Sequence, residues 1–462
     1  MTNEQIIFFF RYFAVGMGRQ TTYSYYGSLL RLGIPVVASQ MGHMLTVMAD
    51  TIMVGGLGAT QLAAVSFAGN ISVPVLVAGM GVSLCVTPLV GKRYGAMRHN
   101  SIALCLKHLQ LLNILIGLFQ VALLALFWYL MPYMGQPAEV VELARGYMPI
   151  IIASMLPCQI FTGYKQFIEG LQNTKTPMVI SLIGNALNIM FNYVFIYGFW
   201  FVDAIGVNGA AWSTLLSRVF MWLAISVVVR RMDLCRAYFS AKRRIRLSAR
   251  VLKHILTMGL PIGGQMAVEC LAFALGGIMM GWIGTAEIAA HEIVMTFTSL
   301  TFMMASGISS AITIKVSLFC GQRDRQAIRL NSYAAIQLSL IFMACTAILF
   351  ITLRNVVPAL IIDSAQAVEI AAQLMIVAGC FQLFDGTQVT VMGILRGLGD
   401  MRFPPLVSTV AYVVTCLPIG YLLAFTCGCG AWGIWIGYLV GLVVACAMLL
   451  MRMRLKMRKI PF

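Results

Sequence analysis

The stretch LPIGGQMAVECLAFALGGIMMGWIGTAEIAAHE, residues 260–292, decides how this chain folds. It consists of two apolar segments joined by a short turn, and it contains no lysine or arginine. One carboxylate, Glu269, lies about a third of the way into the first segment. An ionisable group at the centre of a membrane helix costs roughly 2.5–3.5 kcal/mol on insertion scales. An acid in such a segment therefore indicates a functional role.

The composition of the whole chain agrees with a membrane location. Of its 462 residues, 60% are hydrophobic and only 10% are charged, whereas a soluble domain has about 25% charged residues. The net charge of +17 is attributed to basic loop residues that set the orientation of the protein in the membrane. It is not attributed to nucleic-acid binding, because no aromatic and basic residues interleave in the way that binds single strands. The twelve cysteines are scattered along apolar segments, which is typical of small buried residues rather than of disulfides.

Apolar runs long enough to cross a membrane occur at about twelve places, and all are predicted to be helices because backbone groups in lipid must bond within their own segment. The predicted spans cover residues 30–54, 61–90, 106–133, 144–168, 178–199, 207–229, 255–283, 286–317, 331–352, 366–394, 404–426 and 431–451. Residues 1–29 lack a signal-peptide cleavage site and are predicted to be an interfacial segment.

The loop charges predict the orientation of these spans. Lysine and arginine concentrate in every second loop and in the tail, and Arg396 and Arg402 are assigned to the loop between spans 10 and 11. The alternate loops carry almost no positive charge, with Arg145 and Arg354 as the main exceptions. By the positive-inside rule, both termini and the basic loops are predicted to be cytoplasmic.

The sequence also repeats itself. At an offset of 226, Gly33 lies over Gly259 and Pro35 over Pro261, and further on GLQNTKTP (170–177) lies over GLGDMRFP (397–404) at an offset of 227. Each copy holds six spans, which predicts two six-helix bundles related by a pseudo-twofold axis along the membrane normal. The predicted domains are an N-terminal segment (1–29), an N-lobe (30–229), a basic cytoplasmic linker (230–254), a C-lobe (255–453) and a basic tail (454–462).

Three carboxylates are assigned to the interior of predicted spans: Asp50, Glu269 and Asp385. Most other acids lie in loops or at span ends, and Glu169 and Glu292 are ambiguous. No lysine is assigned to the first three as a partner within the membrane, and Arg218 in span 6 is the one candidate counter-ion. Buried carboxylates are suited to carrying a proton or to coordinating sodium. The sequence does not distinguish between these two cations. A structural role, in which polar groups only join helices, is the alternative.

Helical spacing places further polar residues beside these acids. Gln265 lies one turn before Glu269, and Gln382 and Gln388 flank Asp385 on one face. In the N-lobe, His43 shares the face of Asp50, and span 5 carries a stripe formed by Asn185, Asn188 and Asn192. These supporting residues could equally be hydrogen-bonding links between helices.

Apolar side chains near the acids are candidates to line a substrate site. Met53, Phe273 and Met392 are assigned this role because methionine and aromatic walls adapt to varied apolar cations, although methionine also fills cores. No H-E-x-x-H, P-loop or G-x-S-x-G signature occurs, and the loops are too short for a nucleotide-binding domain. The chain is therefore predicted not to be an enzyme and to need no cofactor beyond its coupling ion.

Several motifs resemble one family. MADTIMVGGLGATQLAAVSFA (48–68) and its repeat copy IMMGWIGTAEIAAHEI (278–293), together with GNALNIMFNYVFIYG (184–198) and FQLFDGTQVTVMGILRGLGDM (381–401), resemble the multidrug and toxic compound extrusion (MATE) transporters, in their bacterial NorM-type branch. The resemblance covers about residues 30–450. It implies an inner-membrane antiporter that exchanges Na⁺ or H⁺ for cationic amphipathic drugs and dyes.

The resemblance also implies roles for individual residues. It places cation coupling on Glu269 and Asp385, and on Asp50 together with Asn188 and Asn192. His43 is not part of the family motif, but at the offset of 226 it occupies the position of Glu269. We therefore expect a Glu269–Asp385 cation site in the second lobe and a separate Asp50–His43–Asn188 site in the first, which titrates near neutral pH.

The sequence thus predicts a multi-pass, cation-coupled multidrug exporter that works as a monomer by alternating access, with small cationic substrates and the lipid bilayer as its partners and no nucleic acid. A flippase for a lipid-linked pyrophosphate is the first alternative, but its site should be lined by Arg and Lys rather than by acids. An intramembrane enzyme is the second, and it would need a nucleophile and a base at helical spacing.

Overall fold

A computed structural model describes residues 19–198, 203–241, 246–362 and 364–460. Within these ranges the secondary structure is helical throughout, with short turns between helices and no strand. Part of the predicted interfacial segment, residues 1–18, lies outside the described residues, as do residues 242–245 of the predicted linker.

The described chain contains twelve helical segments that are long and apolar enough to cross a membrane. We call them spans 1 to 12: Tyr25–Gly55, Ala59–Gly95, His99–Tyr133, Ala138–Gly170, Lys175–Tyr197, Val207–Arg231, Ala249–Ile283, Thr285–Gln322, Arg325–Thr352, Ala365–Gly397, Phe403–Thr426 and Ala431–Arg458. The twelve predicted spans and the all-helical fold class are therefore confirmed.

The helix of span 1 begins earlier than the hydropathy pattern predicts. It runs from Arg19 to Gly55, whereas the prediction starts at residue 30. One interaction in this extension joins Tyr26, whose hydroxyl donates to Gln337 Oε1 at 2.6 Å. The extension is polar, so its composition gives no signal for a membrane span.

Two spans are interrupted near prolines. Span 2 divides into helices Ala59–Leu84 and Val86–Gly95, because Pro88 has no N–H to donate to the carbonyl of Leu84. Span 11 contains two wider π-helical stretches, Val410–Cys416 and Leu422–Thr426, on either side of Leu417–Tyr421. Such wide turns occur often at functional sites.

Outside the spans, the described residues form two short helices that connect the elements. Val356–Ala359 lies between spans 9 and 10. Asp233–Ala241 follows span 6 and packs on span 3, where the hydroxyl of Tyr238 lies 2.9 Å from His99 Nδ1. All twelve cysteines are free thiols in this structure.

The contacts divide the chain into two compact units, and both boundaries fall inside a helix. One unit comprises residues 1–37 and 268–462, and the other comprises residues 38–267. The start of span 1 thus belongs with the second repeat, and the start of span 7 with the first. The predicted limits of lobes, linker and tail stay a prediction.

Close helix packing explains why the starts of spans 1 and 7 each belong to the unit formed mainly by the other repeat. In one unit, a Cβ on Gly307 of span 8 would lie 2.2 Å from the side chain of Val37 in span 1. In the other, a Cβ on Gly263 of span 7 would lie 2.5 Å from the carbonyl oxygen of Ala78 in span 2. Small residues at such crossings allow two helix backbones to approach closely.

Equivalent hydrogen bonds show that the sequence repeat is also a structural one. In the first repeat, the Thr87 hydroxyl donates to the Gln166 carbonyl at 3.0 Å. In the second, the Thr313 hydroxyl donates to the Gly393 carbonyl at 2.9 Å. Thr313 follows Thr87 by 226 positions, and Gly393 follows Gln166 by 227.

Candidate functional site

Glu269 is held by a neighbouring span of its own unit. Its side chain is half-buried on span 7, and its Oε1 accepts a hydrogen bond from the hydroxyl of Ser408 on span 11 at 2.9 Å. Asp385 on span 10 is 4% exposed and close enough to Glu269 to interact electrostatically. The structure therefore brings together the two acids that the sequence assigns to one site.

Three neutral polar groups complete this site. Tyr412 on span 11 interacts electrostatically with both acids and shares a side-chain hydrogen bond with Gln388 of span 10. Gln388 is buried, and its Oε1 has no hydrogen-bond partner among the described residues. We call Glu269, Asp385, Gln388, Ser408 and Tyr412 the second-repeat cluster; it offers carboxylate, amide and hydroxyl oxygens.

An aromatic wall adjoins the second-repeat cluster. Phe273 lies one turn after Glu269, and its ring centroid is 5.7 Å from that of Tyr412 and 5.1 Å from that of Tyr438. Aromatic faces attract cations through the ring quadrupole. The position of Phe273 therefore suits the substrate-lining role assigned to it.

Arg218 is not the only arginine near these acids, and its assignment as the one candidate counter-ion was wrong. Arg396 also interacts electrostatically with Glu269. It does so because it lies in the last turn of the span 10 helix rather than in the following loop. Eleven residues separate it from Asp385, so the two side chains lie on nearly the same helix face.

In the other unit, Asp50 of span 1 accepts hydrogen bonds from span 5. Asn192 Nδ2 donates to Asp50 Oδ1. With its amide oriented so that Nδ2 faces the acid, Asn188 donates to the same oxygen at 3.0 Å and accepts from the backbone N–H of Thr214 at 3.3 Å. We call Asp50, Asn188 and Asn192 the first-repeat cluster.

The charge next to the first-repeat cluster comes from Arg218 of span 6. This arginine interacts electrostatically with Asp50, and its Nη1 donates to the Ser154 hydroxyl at 2.7 Å. His43 lies seven residues before Asp50 on span 1 and is exposed. Its electrostatic neighbours are Arg218 and Lys165. The structure thus links His43 to Asp50 through a shared arginine.

Two of the predicted supporting residues contact other spans of their units, and a third is buried. Gln382 Nε2 donates to the Thr301 hydroxyl of span 8 at 2.6 Å, away from Ser408. The amide of Asn185 packs against Gly42 of span 1. Gln265 is buried one turn before Glu269 on the same helix.

The two candidate methionines differ in their surroundings. Met53 is partly buried, and its backbone carbonyl accepts a hydrogen bond from the Tyr197 hydroxyl at 3.0 Å. Met392 is 4% exposed and belongs to the apolar core with Ile312 and Val389. Met392 is therefore part of the apolar core in this structure.

Sequence reasoning missed Ser408, Tyr412 and Arg396 as members of the site. A signal was present: Ser408 and Tyr412 stand four residues apart in the otherwise apolar segment LVSTVAYVVTC (406–416). Residues at this spacing share a helix face. Without the neighbouring spans, however, nothing in the segment indicates that this face meets Glu269.

Within the described part of the chain, no group of three or more His, Cys, Asp or Glu side chains could hold a metal ion. The second-repeat cluster instead combines two acids with neutral oxygens, which suits a proton or a weakly held alkali cation better than a transition metal. Twelve apolar helices with acids inside their bundles are typical of a polytopic membrane transport protein.

Comparison with known proteins places the chain in a family. The sequence model of the MatE family matches residues 35–194 and 261–422, one segment in each repeat. The chain belongs to this family and is a MATE multidrug efflux transporter. The two matched segments start 226 residues apart, which is the offset of the internal repeat.

Similar proteins of other bacteria match nearly the whole chain. The multidrug resistance protein MdtK of Proteus mirabilis is 31% identical over 427 residues, which cover 91% of this chain and 93% of that protein. The multidrug resistance protein NorM of Photobacterium profundum is 32% identical over 432 residues, 92% and 94% of the two chains. With twelve spans, these bacterial relatives identify a multi-pass protein of the inner membrane.

Solved structures share the fold. The eukaryotic MATE transporter AtDTX14 superposes with a TM-score of 0.84 at 17% identity, covering 95% of this chain and 98% of that one. The outward-facing conformation of a multidrug resistance MATE family transporter of the MOP superfamily gives a TM-score of 0.87 at 22% identity, covering 95% and 97%.

Proposed function

We propose that this transporter exports cationic amphipathic compounds in exchange for Na⁺ or H⁺, and that both the coupling ion and the substrate use the second-repeat cluster. The single observation that carries this proposal is the pairing of Asp385, which is almost fully buried, with Glu269 in one electrostatic unit. Two acids so close together repel each other when both are charged. A bound cation or proton relieves this repulsion.

The geometry supports competition between ion and substrate. A positively charged substrate gains from the same acids, and the rings of Phe273 and Tyr412 provide an apolar wall for its body. Binding of Na⁺ or H⁺ removes negative charge from the cluster and thereby weakens the hold on the substrate. A ligand shifts a transporter between states only by its differential affinity for them.

The neutral oxygens of the cluster bear on the choice of cation. Sodium favours several oxygen ligands, and the second-repeat cluster offers the unpartnered Gln388 Oε1 and the hydroxyls of Ser408 and Tyr412 besides the acids. A proton needs only the carboxylates. Transport driven by an imposed sodium gradient, by a pH gradient, or by both distinguishes these cases.

The test is transport of a fluorescent cationic dye in proteoliposomes that contain the purified full chain. One arm imposes a Na⁺ gradient at equal pH, one imposes a pH gradient without Na⁺, and one imposes neither. We expect dye movement in at least one of the first two arms and its loss in Asp385→Asn. The exposed acid Glu139, in the first turn of span 4, supplies the matched control Glu139→Gln.

Three results would each overturn a part of the proposal. Dye movement that ignores both gradients rules out cation coupling. Wild-type rates in both Glu269→Gln and Asp385→Asn show that the second-repeat cluster does not carry it. Equal transport rates for the cationic dye and for a neutral analogue would contradict the proposal that the substrates are recognised by their positive charge.

A further inference from the structure

The two arginines that depart from the charge pattern of the loops each line a groove, and the two grooves occupy equivalent places in the two repeats. Arg145 and Arg354 each line a surface groove, one with a volume of about 580 Å³ in the first repeat and one of about 620 Å³ in the second. Both volumes fall in the range of small-molecule sites, roughly 300–1,000 Å³. Each groove is built at the connection between the third and fourth spans of its repeat, at the end predicted to face away from the cytoplasm.

The repeat relates the two grooves position by position. Glu142 lines the first groove, and Glu369, 227 positions later, lines the second. Val141 and Val368 correspond in the same way. Arg354 follows Trp128, a residue of the first groove, by 226 positions. Each groove thus keeps one glutamate at an equivalent place and one arginine at a different place.

In the first groove the arginine is oriented by Trp128. The indole Nε1 donates to the backbone carbonyl of Arg145 at 3.1 Å, and the Arg145 guanidinium lies 5.0 Å from the centre of the indole ring. Glu142 stands one helical turn before Arg145, so the two side chains share a helix face. Both are exposed.

In the second groove, Arg354 stands at the position of the indole, and Gln373 adds a polar group. Gln373 lines the groove, and its Oε1 accepts a hydrogen bond from the indole Nε1 of Trp432 at 3.0 Å. Arg354 is half-exposed in the turn that follows span 9, and Glu369 is exposed near the start of span 10. The two opposite charges therefore come from a turn and from the helix that follows it.

Within each groove, the opposite charges are available to a ligand. The ion pairs shorter than 4.0 Å among the described residues include those of Asp400 with Arg452 and Lys456. Neither Arg145 with Glu142 nor Arg354 with Glu369 is among them. Each groove thus presents a separate cationic and anionic group, and the matching ligand carries one phosphate-like anion and one ammonium.

Exposed apolar side chains, here called the rim side chains, occur in the chain segments that form both grooves. Tyr129 and Tyr133 follow groove residues Trp128 and Pro132 in the sequence and are 64% and 79% exposed, and Leu360 and Ile361 lie between groove residues Ala359 and Ile362 and are 81% and 56% exposed. Tyrosine is typical of the headgroup level of a bilayer. The ligand therefore combines a zwitterionic headgroup with apolar chains.

We propose that each groove binds the headgroup of one phospholipid of the ethanolamine type from the leaflet facing away from the cytoplasm. The arginine binds the phosphate, the glutamate binds the primary ammonium, and the exposed rim side chains contact the acyl chains. An anionic phospholipid without an amine satisfies only the arginine, and a neutral lipid satisfies neither group. The inference is independent of the coupling ion and of the exported substrate.

Native mass spectrometry tests this proposal with the full chain released from nanodiscs that contain equal amounts of phosphatidylethanolamine and phosphatidylglycerol. We expect two retained phosphatidylethanolamine molecules in the wild type, one in Arg145→Ala, one in Arg354→Ala and none in the double variant. Loss of one charge-assisted contact weakens binding by about tenfold. The exposed Arg402, in the loop between spans 10 and 11, provides the control Arg402→Ala.

The glutamates separate the zwitterion from a simple anion. We expect Glu142→Gln and Glu369→Gln to lower retention of phosphatidylethanolamine and to leave that of phosphatidylglycerol unchanged. Wild-type retention of phosphatidylethanolamine in the double arginine variant would overturn the proposal. So would equal retention of both lipids by the wild type, which would indicate a site for anionic phosphate only.

Discussion

In both polar clusters an acid on the first span of the repeat is bound by the fifth span, but the two acids lie at different positions along their helices. Asp50 on the first span accepts hydrogen bonds from the fifth span, and Glu269 on the seventh accepts one from the eleventh, which is the fifth of its repeat. At the repeat offset, however, Glu269 corresponds to His43, seven residues before Asp50. Seven residues of helix correspond to about 10 Å.

A single glycine explains why the second repeat has no acid at the height of Asp50. The residue at that position is Gly276, and a Cβ there would lie 1.6 Å from the phenolic oxygen of Tyr438. Tyr438 is 1% exposed and therefore fixed by its neighbours. The phenol fills the space that a side chain at position 276 would need, so each repeat keeps room for its acid at a different height.

The largest expected effect separates the roles of the two clusters. Asp385→Asn removes one acid of an interacting pair, and we expect efflux to fall at least about tenfold, the effect of roughly 1.4 kcal/mol. Asp50→Asn leaves a side chain that still contacts Asn192, and we expect a loss of only about threefold. Initial rates of dye efflux in proteoliposomes measure both. The reverse order would show that the first-repeat cluster carries the coupling.

The next effect concerns Gly276 and stability. We expect Gly276→Ala to destabilise the protein by about 1–3 kcal/mol, because the new methyl group overlaps Tyr438 in a packed core. Thermal unfolding of the purified protein measures this change. Gly264→Ala, in the same helix with no atom within 4 Å of its Cβ, is the matched control. Tyr438→Phe should restore part of the loss, and its failure to do so would place the strain elsewhere.

A smaller effect is expected at the donor to Asp50. Asn192 is fully buried, so Asn192→Ala leaves a carboxylate without its principal donor at a cost of about 1–3 kcal/mol. We expect a lower unfolding temperature and a fewfold slower dye efflux, both measurable on one preparation. The exposed Asn100→Ala serves as control. An unchanged unfolding temperature in Asn192→Ala would contradict the hydrogen bond as a stabilising contact.

The smallest effect is expected at Ser408. Removing its hydroxyl in Ser408→Ala takes one hydrogen bond of about 1 kcal/mol from Glu269, and we expect the concentration of cation needed for half-maximal efflux to shift about fivefold. Ser408→Thr should preserve the wild-type value. The neighbouring Thr409→Val removes a hydroxyl that bonds only to its own helix at Pro405. An equal shift in that variant would show that the effect is not specific to Glu269.

The sequence predicted the elements of this fold well because apolar length is a local property. Twelve spans and the repeat follow from composition and from an offset that needs no neighbour. The start of span 1 escaped prediction because the polar residues from Arg19 onward form a helix without an apolar signal. The starts of spans 1 and 7 belong to the unit of the other repeat because of packing at Gly307 and Gly263. No pattern in the sequence indicates this packing.

The site was predicted in part for a similar reason. Acids in apolar spans are conspicuous, so Asp50, Glu269 and Asp385 follow from the sequence alone. The partners that hold them are common residues: Ser408 and Tyr412 are unremarkable until span 11 is placed beside span 7. Arg396 was assigned to a loop because a charge at the end of an apolar run is normally outside the helix. Its contact with Glu269 becomes visible only in three dimensions.

The division of the chain within spans 1 and 7 has a consequence for synthesis. Domains of a growing chain generally fold as units in the order in which they are made. The unit that contains residues 38–267 stays incomplete after its sixth span has been made, since the start of span 7 packs on Ala78. The start of span 1, made first, contacts Gly307 of span 8 and must wait for more than half of the chain. During biogenesis of this transporter, the start of span 1 therefore lacks its packing partner until span 8 of the second repeat has entered the membrane.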